Sequence, residues 1–98
     1  NVGPDDCDCV TTGELTTLFC RAWGDGMTWE NRSEANAPHE ANFLKLDCSK
    51  IKTTFGWKPR WHMQEAIQKT EWSKVWMDGG DVPAVMRKQI REFEEGVR

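Results

Sequence analysis

The stretch TTGELTTLFCRAWGDG, residues 11–26, decides how the rest of the chain is read. Thr11 or Thr12 can cap a helix, with Glu14 adding negative charge to its first turn. Leu15, Leu18, Phe19, Ala22 and Trp23 follow at i, i+3, i+4, i+7 and i+8, which is one apolar face of a helix. Gly24 and Gly26 stop it, because glycine readily takes the left-handed conformation beyond a helix end. Upstream, residues 1–12 are turn-rich around Gly3-Pro4-Asp5-Asp6. Downstream, the alternation at 27–29 puts Met27 and Trp29 on one face of a short strand. Residues 30–41 lack periodicity and read as a loop, the kind of segment on which binding residues tend to sit.

A second strand is expected at 43–46, followed by a short helix over 49–55, with Asp47 or Ser49 as its cap and Gly56 closing it. Pro59 disfavours helix at Lys58, so 57–61 is extended. The spacing predicts a third helix over 63–77, but its stripe slips: Met63, Ala66, Ile67 and Thr70 share a face, and Trp72, Val75 and Trp76 arrive one residue early for it. Local over-winding, a sequence error or a deletion would each produce that slip. Residues 78–81 end this helix, and 83–95 form a last amphipathic one with Val85, Met86, Ile90 and Phe93 inward. No internal repeat or low-complexity run is present.

The 98 residues carry 13 basic and 16 acidic side chains, a net charge of −3, which argues against nucleic-acid or membrane-surface partners. Hydrophobic residues are 38% and mean hydropathy is −0.72, polar for a free-standing fold of this size. No apolar run approaches a membrane span and no secretory signal opens the chain. It begins with Asn1 rather than Met, so an upstream part is expected to be missing, and the location is read as cytoplasmic. Six tryptophans and no tyrosine mean that no phenolic acid or base operates within this chain. Cys7 and Cys9 form a C-x-C pair with Cys20 and Cys48 far away, a poor match to zinc spacing. Without secretion, reduced cysteines with Cys20 buried on its helix are the simpler expectation.

Motifs that carry chemistry are mostly excluded. No phosphate loop or G-x-G-x-x-G fingerprint occurs. His39-Glu40 starts an H-E-x-x-H, but Phe43 occupies the second histidine's place. Asp5, Asp6 and Asp8 lack the EF-hand spacing. The sequon at Asn31 is meaningless without secretion. His62, beside Trp61 at a helix start, reads as a capping or surface histidine before it reads as a catalytic one. No catalytic residue and no metal ligand is expected in this chain.

The string LKLDCSKIKTTFGWKPRW (44–61) resembles the C-terminal substrate lobe of extended short-chain dehydrogenase/reductases. The preceding PHEANF, the opening NVGP and WGDG at 23–26 narrow the likeness to the 4,6-dehydratases that act on CDP-glucose. The resemblance spans the whole chain. It implies an α/β substrate-binding lobe over residues 1–98, mostly helical with two short strands, from an extended Rossmann-type dehydratase. In such an enzyme NAD, held by an N-terminal domain absent here, supplies the hydride chemistry, and the product is a 4-keto-6-deoxy sugar nucleotide for surface polysaccharide. That domain also carries the Tyr-x-x-x-Lys pair, so this chain alone is expected to be inactive. The family tends to homo-oligomers.

In related enzymes an Arg-Pro-x-Glu motif meets the sugar nucleotide, and Ala37-Pro38-His39-Glu40 aligns with it. Glu40 then accepts bonds from the ribose hydroxyls, against a plainer role as a solvated loop carboxylate. Ala37 departs from the arginine, leaving His39 as a stand-in at the diphosphate. Asn36 and Arg32 are weaker candidates from the same loop, and Lys45 and Asp47 read as strand-end and capping residues. Trp57 and Trp61 flank Pro59 as a packing joint, and Trp23, Trp72 and Trp76 read as core. Most of the family has one more residue between the positions of Thr70 and Trp72, where the stripe slips. Two other readings stand beside this one: a stand-alone Trp-rich ligand or carbohydrate module, and a non-catalytic interaction domain. Within the superfamily, another nucleotide-sugar dehydratase or epimerase also fits.

Overall fold

Thr11 fixes the start of the first element. In the computed structural model, which describes residues 1–36 and 45–96, Thr11 Oγ1 accepts from the Glu14 amide at 3.2 Å, and Glu14 Oε2 accepts from the Thr11 amide at 2.7 Å. This reciprocal pair satisfies two donors that a helix start leaves free. Helix α1 then runs Thr12–Trp23 and stops at Gly24, φ 73°. Helix α2, Ser49–Phe55, begins where Asp47 Oδ1 accepts from the Ser49 amide at 2.9 Å, and ends at left-handed Gly56. The expected cap of α1 thus operates, whereas the N-cap of α2 is Cys48, with Asp47 holding the first helical amide from one residue further upstream.

The helix expected over 63–77 is two helices, α3 (Met63–Gln68) and α4 (Glu71–Met77). At the junction the Thr70 amide donates to the Ile67 carbonyl at 3.0 Å and the Ser73 amide to the Thr70 carbonyl at 3.0 Å. Both are i to i−3 bonds, a tightened turn that rotates α4 against α3. Local over-winding is thus present where the stripe slips. The amides of Gly79 and Gly80 donate back to Trp76 and Val75 at 3.1 and 2.8 Å, with Gly79 at φ 72°. That closure is a Schellman motif. Helix α5, Val82–Glu95, is capped by Asp81, whose Oδ1 accepts from the Ala84 amide at 3.0 Å.

Among the described residues the fold is mostly helical, as expected, and neither of the two short strands of the expected α/β lobe is found. Residues 27–29 are irregular, with no extended neighbour to complete a ladder. Trp29 instead turns back on α1, its indole N–H donating to Thr17 Oγ1 at 3.0 Å and its ring resting where a Gly13 side chain would be. Lys45 and Leu46 are irregular too, and Phe43 and Leu44 of the second expected strand lie outside the described residues.

Helix α1 packs on α3, and α4 on α5. Cys48 and Ile67 are the buried apolar side chains among the described residues. The expected tryptophan core is not formed. Trp23 is half-buried, but Trp72 is 40% and Trp76 69% exposed, because nothing described lies over the outer face of α4. Cys20 is half-buried rather than buried. The molecule extends 45 × 43 × 17 Å, and a helix with its side chains is already about 10–12 Å across. Its surface of 8144 Å² exceeds the about 5,700 Å² typical of a compact monomer of this mass. These helices form little more than one layer.

Thr11→Ala is expected to lower stability by about 1 kcal/mol through loss of the cap, and Gly79→Ala by about 1–2 kcal/mol through its left-handed backbone. Thr12→Ala is expected to cost less than about 0.5 kcal/mol. Urea midpoints of the three variants check this ordering.

Candidate functional site

Two places near the N-terminal segment concentrate polar chemistry. At the first, a single 3-10 turn over Asp6–Asp8 points Asp8 inward, where it is only 6% exposed. A carboxylate there needs partners, and α3 supplies them. The Met63 amide donates to Asp8 Oδ1 at 2.8 Å, and His62 Nδ1 lies 2.7 Å from Oδ2. The His62 amide donates to Glu65 Oε2 at 3.1 Å, which fixes the start of α3. Cys7 Sγ stands 3.8 Å from Asp8 Oδ2 and 4.0 Å from His62 Nδ1.

The electrostatics follow from these contacts. The hydrogen bonds from His62 and then from Met63 hold the Asp8 carboxyl below its ordinary value, and Asp8 in turn raises His62. Desolvation, and next the neighbouring Asp8, push the Cys7 thiol up. An activated nucleophile needs the reverse shift, and a base whose second nitrogen faces the thiol. Here Cys7 and Asp8 crowd the same nitrogen, so the trio is no nucleophilic triad. Its donor atoms do lie within 4.8 Å of one another, close enough to share a cation. His62 is the residue preceding α3, as the sequence reading has it. Its link to Asp8, 54 residues away, leaves no trace in any local pattern.

The second place is a cleft of about 570 Å³ between the N-terminal segment and the start of α2, lined in part by Asp6, Lys45, Asp47, Ser49 and Lys52. Lys52 pairs with Asp5 at 2.6 Å and Lys45 with Asp6 at 3.5 Å. Asp47 precedes the N-cap Cys48 and accepts from the Ser49 amide, and Lys45 enters an ion pair instead of ending a strand. Pro38, His39 and Glu40 lie outside the described residues. Arg32 and Asn36 are described and exposed. Arg32 pairs with Glu30 at 3.1 Å, and neither Arg32 nor Asn36 lines the cleft. Among the described residues no helix is long and apolar enough to cross a membrane.

The chain is similar to the CDP-glucose 4,6-dehydratase of Salmonella typhimurium, 37% identical over 94 residues, which are 95% of this chain and 26% of that enzyme. The resemblance read from the sequence is thereby borne out, and the chain spans about a quarter of the length of the curated relative it matches. No protein-family model and no solved structure matches it.

The Asp8 contribution is present above 3.8 and is lost as pH falls through the lowered folded value; that of His62 is complete below 6.5 and fades as pH rises through the raised one. In chelator-containing buffer, the urea-midpoint gap between the unsubstituted chain and His62→Ala is therefore expected to be widest at about pH 5 and to narrow towards about pH 2 and pH 9.

Proposed function

We propose that this chain is the substrate-binding lobe of an NAD-dependent CDP-glucose 4,6-dehydratase, with the nucleotide-binding domain and catalytic tyrosine supplied by the rest of the enzyme. The likeness to the Salmonella typhimurium dehydratase over 95% of the chain carries this reading. The burial pattern supports it: a layer 17 Å thick with two buried apolar side chains among those described suits a lobe completed by another part of its enzyme.

Within the lobe, Glu40 accepts from the vicinal ribose hydroxyls, with Pro38 stiffening the turn and His39 beside the diphosphate. Lys45 lines the cleft and pairs with Asp6. The two lysines lining the cleft are balanced by Asp6 and Asp47, so it suits a hydroxyl-rich sugar better than a diphosphate. NAD, when bound elsewhere in the enzyme, supplies the hydride transfer. These residues orient the sugar for it.

One observation favours a second reading. Phe19, Trp23, Met27, Trp72, Trp76 and Met77 line an apolar groove of about 560 Å³, a surface that a Trp-rich carbohydrate module would also present. Tryptophan emission during titration separates the two. CDP-glucose is expected to shift it, and Glu40→Ala to weaken binding about tenfold or more through the lost charge-assisted bonds. Turnover by the 98-residue chain is expected to be nil. A response to free saccharides, and none to CDP-glucose, would favour the module. The coding frame upstream of Asn1 is expected to encode a glycine-rich nucleotide fingerprint and a Tyr-x-x-x-Lys pair.

A further inference from the structure

The sugar-nucleotide reading leaves Cys7, Asp8 and His62 without a role, yet their donor atoms converge. Sγ to Oδ2 is 3.8 Å, Sγ to Nδ1 4.0 Å, and Oδ2 to Nδ1 2.7 Å. A tetrahedral zinc-class ion holds a thiolate at about 2.3 Å, an imidazole nitrogen at about 2.0–2.1 Å and a carboxylate oxygen at about 2.0–2.2 Å, which sets the three edges at about 3.3–3.6 Å. Two observed edges are slightly longer and one is shorter. Adjustments of about half an ångström bring all three into range.

The support for such an ion is already in place. Asp8 is buried, and the Met63 amide holds its Oδ1, leaving Oδ2 to bind while the first oxygen stays anchored. Outer hydrogen bonds of this kind orient a ligand before the ion arrives. The Glu65 carboxylate fixes the backbone of His62 at the start of α3. Cys7 is exposed, which gives an ion a way in and leaves the fourth position open to water.

We propose that Cys7, Asp8 and His62 form a three-ligand site for a zinc-class divalent cation, closed by solvent. One thiolate and one imidazole in the set select zinc or cobalt over magnesium or calcium, which prefer all-oxygen shells. On binding, Cys7 releases its thiol proton to solvent and His62 gives up its Nδ1 proton, to solvent from the imidazolium or by tautomeric exchange through water to Nε2 from the neutral ring, so the Asp8–His62 hydrogen bond is exchanged for one bond from each to the ion. The thiolate and carboxylate charges then balance the cation. The C-x-C spacing plays no part, since Cys9 Sγ is turned to the Asp5 carbonyl at 3.6 Å. The ligands are instead two adjacent N-terminal residues and a remote histidine, so an ion there staples the N-terminal turn to α3 and favours the folded state.

Cobalt titration of the reduced, chelator-treated chain tests this. One Co²⁺ per chain is expected to give a near-ultraviolet thiolate-to-metal band, with the visible bands of four-coordinate cobalt, and Zn²⁺ is expected to displace it. Cys7→Ser should abolish the near-ultraviolet band, Cys20→Ser should leave it, and His62→Ala should weaken Co²⁺ binding at least about tenfold. Circular dichroism of Cys7→Ser, an exposed position, separates loss of the site from loss of the fold. A titration without a thiolate band overturns the proposal. So does a band that survives Cys7→Ser, or one that disappears with Cys9→Ser instead.

Discussion

A buried carboxylate holds this molecule together. Asp8 sits at the end of a short turn and meets the first amide of α3 and the ring of His62, so its charge is stabilised by two hydrogen bonds from one helix start. Upstream of Asp8 the same segment is tied to α2 and the residues leading into it: Asp5 pairs with Lys52, and Gly3 approaches Leu46 and Cys48 so closely that an added Cβ would lie 3.2 Å from the leucine. The N-terminal residues thus bridge the start of α2 and that of α3. Removing the Asp8 carboxylate would leave the Met63 amide unsatisfied and the turn without its anchor.

Polar ties of this kind recur wherever apolar burial is thin. Lys74 reaches the carbonyl of Trp23 at 3.1 Å and the carboxylate of Asp25 at 2.5 Å, joining α4 to the end of α1. Arg60 donates to the carbonyl of Phe93 and lies 4.8 Å above its ring, where a cation favours the C-terminus of α5. Trp61 meets Phe93 edge-on at 5.2 Å, and Lys69 pairs with Glu92 across the α3–α5 gap. Gln89 adds a hydrogen bond to the Lys69 carbonyl at 2.8 Å. The segment 57–61 therefore acts as a packing joint, as its Trp-Pro-Trp pattern implied, with aromatic and cationic contacts rather than a sealed core.

What the sequence reveals depends on the range of the interaction. Helix starts and stops are local, so Thr11, Asp47, Gly56 and the Gly79-Gly80 pair are readable in advance. The stripe's slip between Thr70 and Trp72 is readable too, but that it divides one expected helix into α3 and α4 is not. Strands at 27–29 and 43–46 are not decided locally: an alternating run becomes a strand only if a neighbour completes its ladder, and Trp29 found α1 first. The exposure of Trp72 and Trp76 is a matter of layers, which composition does not reveal. At the site, the resemblance singled out Pro38, His39 and Glu40, which lie outside the described residues, whereas the cleft needed folding to bring Asp6 next to Lys45. The Asp8–His62 contact needed it even more.

The 17 Å thickness also bears on how the molecule responds to temperature. The heat-capacity increment of unfolding comes mainly from apolar area newly wetted, and a single layer has little left to wet. A small increment flattens the free-energy curve, and the small unfolding enthalpy that goes with thin burial widens the melting interval. Warming loosens such a slab gradually.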